Sequence, residues 1–175
     1  MNRMTICKVL VLLTIILACA APAVTAQEAD ATTDNGSKFG ISVVLQSEQL
    51  DLLFPNWLTG HFVMIPSISV VSISGVGTDF GFGMGFRFNL KNDEAVPYIG
   101  ARFVALTFKP SNRPSATDLV FGPFVGGEYF FSDHFSVSVE AQLNVAMSNG
   151  RSSRFGNPDG TNIYTATVAL ATFYF

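Results

Sequence analysis

The chain has 175 residues, 49% of them hydrophobic and 13% charged, with 17 phenylalanines and a formal net charge of −3. That length accommodates one domain, and mild acidity without a basic stripe excludes nucleic acid as a partner. Cys7 and Cys19 are the only cysteines, so the rest of the chain can hold neither a disulfide nor a thiolate metal site.

Residues 1–26 read as an export signal. Arg3 and Lys8 make a basic start, 9–18 an apolar core, and Val24-Thr25-Ala26 a small-residue cleavage site before Gln27. The apolar run falls short of the about 20 residues that a membrane helix needs. Ile16-Leu17-Ala18-Cys19 offers a rival cut with lipidation at Cys19. Cleavage after Ala26 leaves eight basic against 13 acidic residues and no thiol, which suits an oxidising compartment. Residues 27–37 are polar and turn-rich and predict a short flexible lead-in to a domain over 38–175.

From residue 38 the hydrophobic period is two. Residues 38–46 place Phe39, Ile41, Val43 and Leu45 on one face. Residues 49–56 align Leu50, Leu52 and Phe54 opposite Asp51, with Pro55 near the end. Residues 61–72 align Phe62, Met64, Ile68 and Val70 opposite Ser67 and Ser69. In 79–90 the Phe/Met/Leu positions alternate with Asp79, Gly81, Gly83, Gly85, Arg87 and Asn89. No helix start follows those glycines, so they are not a phosphate loop; they fall where a narrow barrel has least room. Residues 97–108 carry Ile99, Ala101, Phe103 and Ala105 opposite Arg102, and 118–131 carry Leu119, Phe121, Val125, Tyr129 and Phe131 opposite Glu128. The cleanest strand, 134–148, separates Phe135, Val137, Val139, Ala141, Leu143, Val145 and Met147 from His134, Ser136, Ser138, Glu140, Gln142 and Asn144. The last strand, 161–175, is apolar on both faces and leaves its parity open.

These are eight strands, the first two divided at Ser47-Glu48. Nothing after residue 26 is apolar for long enough to be a membrane helix, so a membrane placement requires a closed sheet, which alone among β structures satisfies its backbone within lipid. An even strand count puts both ends on one side. Turns at 58–60, 91–96 and 132–133 are then periplasmic, and loops at 47–48, 73–78, 109–117 and 149–160 external. Phe39, Phe62, Phe88, Phe131, Phe135, Phe173 and Phe175 gather at the periplasmic level as an aromatic girdle. Phe80 and Phe121 mark the other edge, and alternation points Trp57 inward. A cation facing lipid near the midplane costs about 2–4 kcal/mol. Asp51, Arg87, Arg102, Glu128 and Glu140 therefore point into the lumen, which side chains of an eight-stranded barrel nearly fill. Arg102, Glu128 and Glu140 lie on consecutive strands, and Arg102–Glu128 is the expected pair.

The export signal, Pro97-Tyr98-Ile99-Gly100-Ala101-Arg102, Gly126-Gly127-Glu128-Tyr129-Phe130-Phe131 and the aromatic last strand resemble the small outer-membrane β-barrel domains, the OmpX-like and porin-like eight-stranded proteins. The resemblance spans 38–175 and implies an outer-membrane location. It further implies that Phe173 and Phe175 form the signal read by the barrel-assembly machinery. Function does not transfer with such a fold.

Candidate chemistry is sparse. His134-Phe135-Ser136 has the His-x-Ser form of some lipid-modifying barrels, but Glu140 lies about 20 Å from His134 along the strand at ~3.3 Å per residue, too far to orient it. His61 and His134 alone specify no metal site, and no cofactor motif appears. Lys109, Arg113, Arg151 and Arg154 lie in external loops, where they can meet lipopolysaccharide phosphates. The prediction is an all-β, eight-stranded antiparallel up-and-down transmembrane β-barrel in the outer membrane, monomeric, surrounded by lipid and without cofactors. Its role is non-catalytic: structure, surface contact or envelope integrity. A narrow pore for small solutes or ions, or a lipid-modifying enzyme, are the alternatives.

Overall fold

A computed structural model describes residues 38–45, 50–73, 77–91, 93–110 and 114–175. The export signal, its rival cut at Cys19, the lead-in and the Ser47-Glu48 turn lie outside the described residues, as does Arg113. Among the described residues there are nine strand segments: β1 (Gly40–Val44), β2 (Leu50–Leu53), β3 (Asn56–Trp57), β4 (Phe62–Ile73), β5 (Gly77–Asn89), β6 (Ala95–Pro110), β7 (Ala116–Ser132), β8 (Phe135–Met147) and β9 (Thr161–Tyr174). Every neighbouring pair is antiparallel.

β2 and β3 are one stave interrupted at Phe54-Pro55. Both pair with β4, Leu53 with Ser67 and Asn56 with Met64. A proline has no N–H to give to a ladder, and here Pro55 serves only as an acceptor, its carbonyl taking the Gly40 N–H at 2.8 Å. The first and last strands close the ring, from Gly40 opposite Tyr174 to Val44 opposite Leu170. The result is a closed, eight-stave, up-and-down antiparallel barrel. Closure pairs the first strand with the last from Gly40 to Val44, so over that seam the sheet has no free edge. Among the described residues no helix is long and apolar enough to cross a membrane.

The faces are inverted relative to a water-soluble barrel. Phe82, Phe86, Phe103, Phe121, Val125, Val139 and Leu143 all stand on the outside, Phe82 with 56% and Val139 with 53% of its surface uncovered. Arg87, Asp118, Glu128, Glu140, Gln142 and Asn144 are buried inside. The periplasmic-level aromatics expected from the sequence form an exterior ring: Phe39 stacks near Phe54 and Phe175, Phe62 on Phe86, and Phe131 beside Phe135, at centroid separations of 5.9–6.5 Å. Trp57 points inward and meets Tyr174 edge-on at 6.4 Å.

The interior is lopsided. Val44, Leu53, Val63, Ile65, Val168 and Leu170 form a buried apolar wall on β1, β2, β4 and β9. This wall explains why the last strand is apolar on both faces: Val168, Leu170, Thr172 and Tyr174 turn inward, and their odd-numbered neighbours outward. Beside it, on β5, Gly81 and Gly83 yield space to their neighbours. A Cβ at Gly81 would approach Leu106 to 3.0 Å, and one at Gly83 would approach Val104 to 3.1 Å.

Candidate functional site: a charged lumen beneath a capped mouth

Three polar layers stack along the lumen. At the short-turn end, Arg87 lies 2.8 Å from Glu128, with side-chain exposures of 5% and 0%. β5 and β7 bring them together across β6. Glu128 also accepts from Ser136 Oγ at 2.5 Å and Tyr174 Oη at 2.9 Å. The Arg87 guanidinium sits over the Tyr98 ring at 4.6 Å and near Trp57 at 5.7 Å. Two aromatic faces thus supplement one carboxylate in balancing a buried cation.

The middle layer pairs Arg102 on β6 with Glu140 on β8. Glu140 accepts from Gln142 at 3.0 Å and from Tyr98 Oη at 3.3 Å, and Arg102 lies over the Phe124 ring at 4.8 Å. Tyr98 joins the layers, its ring under one arginine and its hydroxyl on the carboxylate of the other. The space for these rings comes from glycines: a Cβ at Gly126 would stand 2.7 Å from the Tyr98 ring.

The expected Arg102–Glu128 pair does not form. The cross-strand partner of Arg102 is Gly122, six residues from Glu128 along β7, about 20 Å at ~3.3 Å per residue. Strand adjacency was the wrong criterion; height in the barrel decides. Asp51, the fifth member of the expected network, lines a cavity of about 170 Å³ above Arg102, together with Gln142, Asn144 and Tyr164.

The third layer closes the long-loop end. Asp118 is fully buried. It accepts from the Asn149 backbone N–H at 2.8 Å, from Ser152 Oγ at 2.6 Å and from Arg154 Nε at 3.3 Å. Arg154 also pairs with Asp79 on β5. This corrects the expectation that Arg154 faces external phosphates: its guanidinium turns down into the mouth, where two carboxylates outcompete solvent. Lys109 and Arg151 are exposed. Asp79 and Asp118 were missed by sequence reasoning as site residues. The available signal was that both occupy inward positions at the outer strand ends while the longest loop carries arginines.

The His-x-Ser pair is not assembled. Ser136 is engaged by Glu128 inside, whereas His134 is exposed and bonds the Tyr174 carbonyl through Nδ1 at 3.0 Å. His61 does the same with the Asn89 carbonyl at 2.9 Å. A carbonyl only accepts, so Nδ1 carries the proton in both. Each histidine stacks on an exterior phenylalanine, Phe88 or Phe173. Each follows a turn in which Thr59 or Ser132 accepts the next backbone N–H groups. The repeated [Ser/Thr]-x-His-Phe pattern therefore caps two strand ends, on β4 and β8, four staves apart and so on opposite sides of the ring. Among the described residues no three metal-ligating side chains converge.

No protein-family model and no curated protein matches the chain. Among solved structures it is similar to Neisserial surface protein A, at 10% identity over 78% of this chain and 91% of that one, with a TM-score of 0.49. It is also similar to the N-terminal β-barrel domain of Pseudomonas aeruginosa OprF, at 14% identity over 81% and 98% of the two chains, with a TM-score of 0.48. The barrel assignment rests on the chain's own strand register, not on these likenesses.

Proposed function

We propose that this chain is a monomeric integral outer-membrane barrel without catalytic chemistry, serving as envelope structure or as a contact surface, its lumen sealed to solutes. One observation carries the reading: an apolar exterior bounded by phenylalanines surrounds an interior whose arginines are matched by carboxylates. In water that arrangement would leave a large apolar surface uncovered; in a bilayer it is the required one. The export signal over 1–26 supplies the route. Phe173 and Phe175, both on the exterior face, are the residues we assign to recognition by the assembly machinery. Lys109 and Arg151 are placed to meet lipid phosphates.

Membrane fractionation with gel migration before and after boiling tests the placement. The expected result is an outer-membrane band whose mobility shifts on heating; an unshifted band in the soluble periplasm refutes it. In planar bilayers the barrel is expected to show no resolved current steps. Steps that change in Arg102→Ala would make it a narrow pore. A changed lipid A mass on overexpression, lost in Ser136→Ala, would make it an enzyme.

A further inference from the structure

The loop over 148–160 is built as a lid. Its two ends are tied by the Ser148 N–H to the Gly160 carbonyl at 2.9 Å, so the segment between them leaves and re-enters the barrel at one point. Its return is made by Gly156 at φ 72° and Asp159 at φ 57°, the left-handed region that glycine and aspartate tolerate best. Inward contacts concentrate on one side. Asn149, Ser152 and Arg154 converge on Asp118, Arg154 reaches on to Asp79, and Phe155 stacks on Tyr164 at 5.9 Å. Tyr164 is also a wall of the cavity below, with Asp51, Arg102 and Asn144. Lid and cavity thus share a surface.

We propose that residues 148–160 form a hinged lid over an outer vestibule of the lumen, latched by Arg154 across Asp79 and Asp118, and that its release admits small cations. The strength of the latch differs from that of the layers beneath. Its Asp79 arm is partly wet, with Arg154 and Asp79 side chains 21% and 33% exposed, and its Asp118 arm is a long contact to a buried carboxylate at 3.3 Å, whereas the Arg87–Glu128 pair is dry on both sides. Salt screens a partly wet pair far more than a buried one. The lid therefore yields before the barrel does. Opening withdraws a cation and leaves two carboxylates at a mouth walled by low-dielectric protein, which favours cations over anions. The Arg102–Glu140 and Arg87–Glu128 layers still close the floor, so the vestibule is a dead end rather than a channel.

The test places one thiol in the cavity wall, Val104→Cys, a position outside both ion pairs, and measures its labelling by a cationic (trimethylammonium) and an anionic (sulfonate) methanethiosulfonate reagent. The barrel lacking Val104→Cys supplies the background. Adding Arg154→Gln is expected to raise the cationic rate at least threefold, with a smaller rise for the anionic reagent. In the Val104→Cys barrel alone, raising the salt from 0.05 M to 0.5 M is expected to raise access at least threefold, a readout that needs no latch variant. Asp79→Asn repeats the test if Arg154→Gln lacks the heat-dependent gel shift of a folded barrel. A smaller change in both the latch variant and the salt series overturns the lid, as does a starting rate equal to that of an exposed Ser153→Cys. The sealed-lumen reading fails separately, on current steps in the unaltered barrel.

Discussion

Glu128→Ala isolates the strongest claim about the interior, that a dry ion pair at the short-turn end holds the lumen together. In the folded barrel the carboxylate is fully buried and receives three groups: Arg87 at 2.8 Å, Ser136 at 2.5 Å and Tyr174 at 2.9 Å. Truncation strands an arginine whose remaining company is two aromatic faces and the Tyr174 hydroxyl, and takes the carboxylate acceptor from two hydroxyls. Removing one partner of a buried pair typically costs about 3–5 kcal/mol. Summing instead over lost bonds, a charged hydrogen bond at about 1.5–3 kcal/mol and orphaned donors at about 1–3 kcal/mol each reaches the same range or above it. The expected loss is therefore at least ~3 kcal/mol, a factor of about 150 in the folding equilibrium. Urea unfolding in phosphatidylcholine vesicles, followed by tryptophan emission, reads it directly, because Trp57 lies 5.7 Å from Arg87. The double variant Arg87→Met with Glu128→Leu removes both charges at similar volume and should recover most of the loss, since apolar replacement of a buried pair is commonly neutral or better. A Glu128→Ala barrel within about 0.5 kcal/mol of the parent, or a double variant no better than the single, would show that lumen water already solvates these groups.

Val139→Arg sets a cation on the exterior near mid-strand and should cost about 2–4 kcal/mol in the same vesicles; a neutral result would mean that this face meets water. Gly126→Ala introduces a Cβ 2.6 Å from the Val139 carbonyl and 2.7 Å from the Tyr98 ring. Displacing that ring should cost about 1–3 kcal/mol and weaken Arg87 and Glu140 together, visible as a lower urea midpoint. His61→Ala and His134→Ala each remove one strand-end bond of about 1 kcal/mol, and because the sites are on opposite sides, the double variant should lose the sum within ~0.5 kcal/mol. A marked departure from additivity would indicate that the two caps communicate.

The barrel itself was legible because alternation is a local property. Each strand declares its two faces within a dozen residues, and charge on one of them decides which faces lipid. Eight of these runs, with short turns at one end, leave little choice of topology. The last strand resisted for a stated reason: Val168 and Leu170 face a lumen wall that is itself apolar, so neither side looked polar. The Phe54-Pro55 interruption was foreshadowed by the proline. Arg154 was misplaced because a loop residue has no parity from which to read its direction. Its partners Asp79 and Asp118 stand 39 residues apart on strands that are not neighbours, a meeting no local pattern encodes.

The pairing error has a regularity that the corrected pairs expose. Arg87 lies opposite Gly100, which lies opposite Phe124, and Glu128 is four residues beyond toward the short-turn end. Arg102 lies opposite Gly122; following β7 into β8 by the same register, between Phe121–Val145 and Phe124–Gln142, leads to Asn144, and Glu140 is again four residues nearer that end. Both arginines therefore reach two staves across and four residues down. Strands of a closed barrel tilt at roughly 35–45° to its axis, so groups at one height are not ladder partners, and the offset grows with each stave crossed. Any pairing inferred across a small barrel must include that slant. With it, Arg87–Glu128 and Arg102–Glu140 become the same step taken twice, one stave apart, and Tyr98, between them on β6, is positioned to touch both.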